Sequence, residues 1–88
     1  MKAPPAFLRA FDNLPTGGYG GSYGGTRYRI TKTVMATGRS QQLEAEELGG
    51  TDYVSLNLYR LADGTALLKP SEMPAEKVIS FVLGVAAD

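Results

Sequence analysis

Apolar residues along this chain keep two rhythms, and the switch between them marks out its elements. Phe7, Leu8, Phe11 and Leu14 recur at helical spacing on one stripe, behind Pro4 and Pro5, which suit a first helical turn. The pattern predicts a helix that stops near Asn13, because Leu14-Pro15-Thr16-Gly17 follows and the residue before a proline is driven out of the α region. So short a helix is marginal alone in water, so this one requires a surface to dock on.

From Arg27 the period changes to two. Tyr28, Ile30 and Val34 fall on one face of a predicted strand, and Arg27, Arg29, Thr31 and Thr33 on the other. Lys32 lies on the apolar face, which points to an edge strand whose lysine reaches water. Ala36-Thr37-Gly38-Arg39 reads as a turn. The run from Ser40 to Leu48 pairs back in the register that sets Arg29 opposite Glu46, Thr31 opposite Glu44 and Ile30 opposite Ala45, since a slip of one residue would put Leu43 and Ala45 on the polar side. Good helix formers between Gln41 and Leu48 make a helix the competing assignment there.

Gly49-Gly50 interrupts the chain, and Tyr53 to Leu61 alternates cleanly, with Val54, Leu56 and Leu58 on one face and Tyr53, Ser55, Asn57 and Tyr59 on the other. A three-residue turn at Ala62-Asp63-Gly64, with Gly64 left-handed, places Leu58 opposite Leu68, whereas a two-residue turn would oppose Leu58 to Lys69. The segment after Pro70 has Pro74 and Glu76 early, a broad apolar face of Val78, Ile79, Phe81, Val82 and Val85, and Gly84 as a stop. It predicts a helix lying across Val54, Leu56 and Leu58. The fold class is therefore α+β: a meander of about four antiparallel strands packed on a C-terminal helix, with a short N-terminal helical arm.

Between arm and sheet lies GGYGGSYGG, residues 17–25, six of whose nine positions are glycine. Glycine loses the most backbone entropy on ordering, so the tract reads as a flexible linker or hinge. The organisation expected is an arm (1–16), a linker (17–25) and one α+β domain (26–88). Nucleotide binding does not fit the tract, which follows a helix, opens a strand and lacks a Walker lysine.

Composition narrows the chemistry. The 88 residues contain neither cysteine nor histidine, which removes thiolate chemistry, disulfides, the commonest general base and the commonest metal ligand. No cofactor and no metal is expected, and the chain reads as a non-enzyme. Glu44, Glu46, Glu47 and Asp52 form an acidic group without the spacing of a calcium loop, so a solvated strand face is the expected role. Lys2, Pro4, Pro5, Arg9 and Asp12 break up the start of the chain where a signal peptide needs an apolar run, so the protein reads as soluble and cytoplasmic, with no membrane partner. Net charge is zero but uneven: residues 1–40 carry +5 and residues 41–88 carry −5. Pairing of the two halves accounts for that asymmetry.

Two candidate surfaces remain. The favoured one is for a protein partner, either another protein or a second copy of this chain, bound by Phe7, Phe11 and Leu14 of the arm and by Tyr53, Tyr59 and Leu67 on the sheet face away from the C-terminal helix. The same arm stripe could instead fold back onto that face. The alternative surface uses Tyr19, Tyr23, Arg27, Arg29 and Lys32 as stacking and cationic groups for single-stranded nucleic acid, against which the neutral net charge weighs. The function expected is a non-catalytic interaction or regulatory module.

Overall fold

In the computed structural model, which describes all 88 residues, Pro4 is the extended cap residue and Pro5 the first helical residue of α1 (Pro5–Asn13). The remaining elements are β1 (Gly17–Tyr23), β2 (Thr26–Met35), a 3-10 turn (Ala36–Gly38), β3 (Ser40–Glu47), β4 (Tyr53–Arg60), β5 (Ala66–Pro70), α2 (Ala75–Gly84) and the short β6 (Ala86–Ala87). The fold is α+β as expected, but the antiparallel sheet has six strands rather than about four, in the order β5-β4-β3-β2-β1-β6.

The two additional strands flank β2 on one side. Residues 17–23 are not a linker: they run antiparallel to β2 from Gly17 opposite Lys32 to Tyr23 opposite Thr26. Gly24 and Gly25, at φ of +60° and +78°, make the two-residue turn of this hairpin, a conformation open to glycine and strained for other residues. Ladder hydrogen bonds and the packing of Tyr19 and Tyr23 on the core offset the entropy of ordering so many glycines. Gly21 also permits a close approach, since a Cβ there would lie 2.7 Å from Ile30 Cδ1 and 3.0 Å from the Ala86 carbonyl oxygen. β6 closes alongside, with Gly21 opposite Ala87 and Ser22 opposite Ala86.

β1 outside β2 makes β2 an interior strand, so Lys32 is not an edge lysine. Its β3 partner follows the expected register, with Arg29 opposite Glu46, Ile30 opposite Ala45 and Thr31 opposite Glu44. Residues 40–47 are a strand because that register buries Leu43 and Ala45, a tertiary gain that outweighs their helix propensity. Leu58 faces Leu68 as well, and Gly64 takes φ +88° in the turn between β4 and β5. On the other flank Met1 to Ala3 line β5: the Leu68 N–H donates to the Met1 carbonyl and the Ala3 N–H to the Ala66 carbonyl, both at 2.8 Å.

Both helices cover the same face. Phe7, Phe11 and Leu14 of the arm join Val78, Phe81 and Val82 of α2 and Ile30, Leu43, Val54, Leu56 and Leu58 of the sheet in a single core. The arm therefore packs beside α2, not on the opposite sheet face. The face with Tyr53 and Tyr59 stays open because the helical side offers the larger apolar area: Phe7 and Phe11 are fully buried there, their rings stacked at 5.7 Å. Burial of side chains this size is worth about 1.5–3 kcal/mol each, enough to hold a helix too short to persist alone.

Candidate functional site

Strand alternation divides the predicted site residues between two faces. Along β2, Tyr28, Ile30 and Lys32 point to the helices, and Arg27, Arg29, Thr31 and Thr33 point away. Direct cross-strand partners share a face, so Gly20, Arg29, Glu46 and Tyr53 form one row across the outer surface. Gly18, Thr31, Glu44 and Ser55 form the next. Tyr59 and Leu67 oppose one another farther along, beside Met35 and Ser40. Tyr53, Tyr59 and Leu67 are thus brought to one open face, where Tyr53 is 45% exposed and Lys69 Nζ sits 5.9 Å from the centre of the Tyr59 ring.

The arm residues are not with them. Phe7 and Phe11 have no accessible surface and Leu14 has 8%, so their stripe is core and offers a partner nothing to grip. The cationic and aromatic set for nucleic acid is divided too. Tyr19 and Tyr23 face inward across from Ile30 and Thr26, and the Tyr23 ring packs 5.1 Å from Phe81. Lys32 is 4% exposed, and its ammonium donates to the carbonyls of Phe11 and Leu14. Only Arg27 and Arg29 of that set reach the outer surface.

Those two arginines lie over the glycines of β1. A Cβ on Gly20 would sit 2.7 Å from a terminal nitrogen of Arg27 and from an Asp88 carboxylate oxygen, and one on Gly18 would meet Arg29 at 3.5 Å. Arg27 is ion-paired with Asp88 and also donates to the Ser22 hydroxyl at 2.9 Å. The bond to Arg27 holds the Asp88 carboxyl below its ordinary range. Arg29, Glu44 and Glu46 have no ion-pair partner, although Arg29 and Glu46 are directly opposite. The outer face consequently has a cationic half over β1 and β2 and an anionic half on β3.

The other polar constellation ties elements together. Asp52, just before β4, accepts from the Tyr28 hydroxyl at 2.9 Å and from Lys77 Nζ of α2 at 2.5 Å. Those bonds, Lys77 first and Tyr28 second, hold Asp52 below the usual carboxylate range. Burial and the bond to Asp52 push the Tyr28 phenol up to about 12. A cleft of about 380 Å³ opens beside this trio, between Tyr23, Phe81 and the start of α2. Its carboxylate and ammonium satisfy each other, so it joins β2, β4 and α2 rather than presenting reactive groups. Nor do acidic side chains converge: Glu44 and Glu46 face outward, while Glu47 accepts from the Asp52 N–H at 3.1 Å, and no group of three or more carboxylates could hold a metal ion. No helix is long and apolar enough to cross a membrane.

No family model matches the chain, no curated protein is detectably similar in sequence, and no solved structure matches its fold.

Proposed function

We propose that the protein is a non-catalytic protein-interaction module whose binding surface is the open face of its sheet, centred on Tyr53 and flanked by Tyr59 and Leu67. The observation that carries this reading is the uneven use of the two faces. One is consumed by α1 and α2, and the other, uncovered by any helix, keeps an exposed tyrosine and an apolar row among unpaired charges. A solvated antiparallel sheet face needs only polar residues. Tyrosines on a rigid strand supply contact area at little entropic cost, which is the chemistry of an interaction surface.

The nucleic-acid reading finds less support. With Tyr19, Tyr23 and Lys32 turned inward, the two rings of that set lie on the face away from Arg27 and Arg29, and Arg27 already holds Asp88. Photo-cross-linking tests the reading: a photoreactive residue in place of Tyr53, on the sheet, and of Leu83, on the exposed side of α2, gives two probes. Adducts from position 53 and none from position 83 are expected in the source cells. Adducts from 83 alone, or from neither, would refute the assignment.

A further inference from the structure

We propose that the occupant of this face is a second copy of the chain, seated face to face about a twofold axis parallel to the strands between β2 and β3. The inference rests on the sheet face being the interaction surface. The order β5-β4-β3-β2-β1-β6 has its midpoint between those two strands, so the axis exchanges β2 with the partner copy's β3 and β1 with its β4. Every residue of a row then meets its mirror position in the same row.

The consequence is reciprocal complementarity. In the row Gly20, Arg29, Glu46, Tyr53, the arginine of each copy faces the glutamate of the other, and Tyr53 of each projects over Gly20 of the other, where the absent side chain leaves only the Arg27–Asp88 pair. A tyrosine ring over a guanidinium is a favourable stack. In the next row Glu44 faces Thr31, and Ser55 faces Gly18. The cationic half of each copy thus covers the anionic half of the other. Arg29 and Glu46, neither of which has an ion pair within the chain, each gain one across the axis. An acidic or a basic partner would satisfy one half and repel the other, whereas a second copy satisfies both.

The geometry is that of aligned sheet packing, with faces about 10 Å apart and strand directions within about 30° of one another. Four strands about 4.8 Å apart, over about 25 Å of strand, bury roughly 1,000–1,200 Å² in total, the low end of specific interfaces and suited to a weak, reversible dimer.

Sedimentation equilibrium from about 10 μM to 1 mM tests it. Wild-type protein is expected to pass reversibly from monomer to dimer, less readily in high salt. Arg29→Glu and Glu46→Arg are each expected to weaken self-association at least tenfold, and an equimolar mixture of the two to recover a heterodimer, since each reversed charge meets its complement across the axis. Arg29→Gln and Glu46→Gln give the same direction of effect with milder changes should a reversal disturb folding, which circular dichroism checks. Wild-type protein that stays monomeric to 1 mM, or variants that dimerise as well as it does, would overturn the second-copy assignment. Cross-links from position 53 to a different protein would meanwhile leave the reading of the face itself standing.

Discussion

Lys32 Nζ donates a 2.7 Å hydrogen bond to the Phe11 carbonyl oxygen, and a second of 3.0 Å to that of Leu14, so a lysine of the sheet closes the end of the helix packed above it. Helix α1 has no basic residue in its last turn, and its final carbonyls need donors. The ammonium also lies 4.4 Å from the centre of the Phe11 ring. Burial lowers the Lys32 pKa, so the charge is held at a cost that these contacts offset.

Lys32→Met keeps the length of the side chain and removes its donors, leaving the Leu14 carbonyl without a partner. A loss of about 1–3 kcal/mol in unfolding free energy is expected by urea denaturation. A variant as stable as the wild type would show that the burial cost cancels the bonds.

The glycines of β1 are expected to differ sharply from one another. Gly21→Ala forces a methyl group against Ile30 and the Ala86 carbonyl and should cost about 1–3 kcal/mol. Gly18→Ala meets only ordinary contact with Arg29 and should gain about 0.5–1 kcal/mol by restricting the unfolded chain. In a flexible linker both changes would be neutral, so thermal melts of the pair discriminate.

Tyr19 has a buried hydroxyl with no hydrogen-bond partner, and burial raises its pKa. Tyr19→Phe removes that unpaired group at constant ring packing, and a gain of about 1 kcal/mol is expected in the melting experiment.

Alkaline pH probes the Tyr28–Asp52–Lys77 tie. The Tyr28 pKa is raised from 10.0 to about 12 on folding, so its contribution is complete below pH 10 and is lost as the pH climbs from 10 to about 12. Lys32, with a lowered pKa, acts in the opposite sense, and comparison with Tyr28→Phe cancels it. The stability difference between wild type and Tyr28→Phe should shrink by about 2–3 kcal/mol over that window. A difference independent of pH would mean that Tyr28 does not keep its proton in the folded state.

How far these features were legible follows from where the side chains carried information. The pairing of β2 with β3 could be read to the residue because apolar phase and opposite charges agreed on one register. The same cross-strand positions did not disclose that Arg29 leans over β1 instead of binding Glu46, since that depends on a glycine surface from another strand. β1 itself was hidden: with glycine at most positions, a period of two has almost no side chains to express it. Two signals were present, the spacing of four between Tyr19 and Tyr23, which puts both on one face, and the Gly24-Gly25 pair that suits a two-residue hairpin turn. Once that strand is missed, Lys32 reads as an edge residue and the Phe7-Phe11 stripe as a mobile arm. Of the candidate site, Tyr53, Tyr59 and Leu67 were recognisable from alternation alone, whereas the unpaired charges beside them depended on the six-strand order.

Amide chemical shifts followed as the protein is concentrated test most directly whether the open sheet face is the working surface. The expected changes cluster at Arg29, Glu44, Glu46 and Tyr53 and leave α1 and α2 unmoved. Changes centred on α2, around Leu83, with the outer rows of the sheet silent, would contradict it.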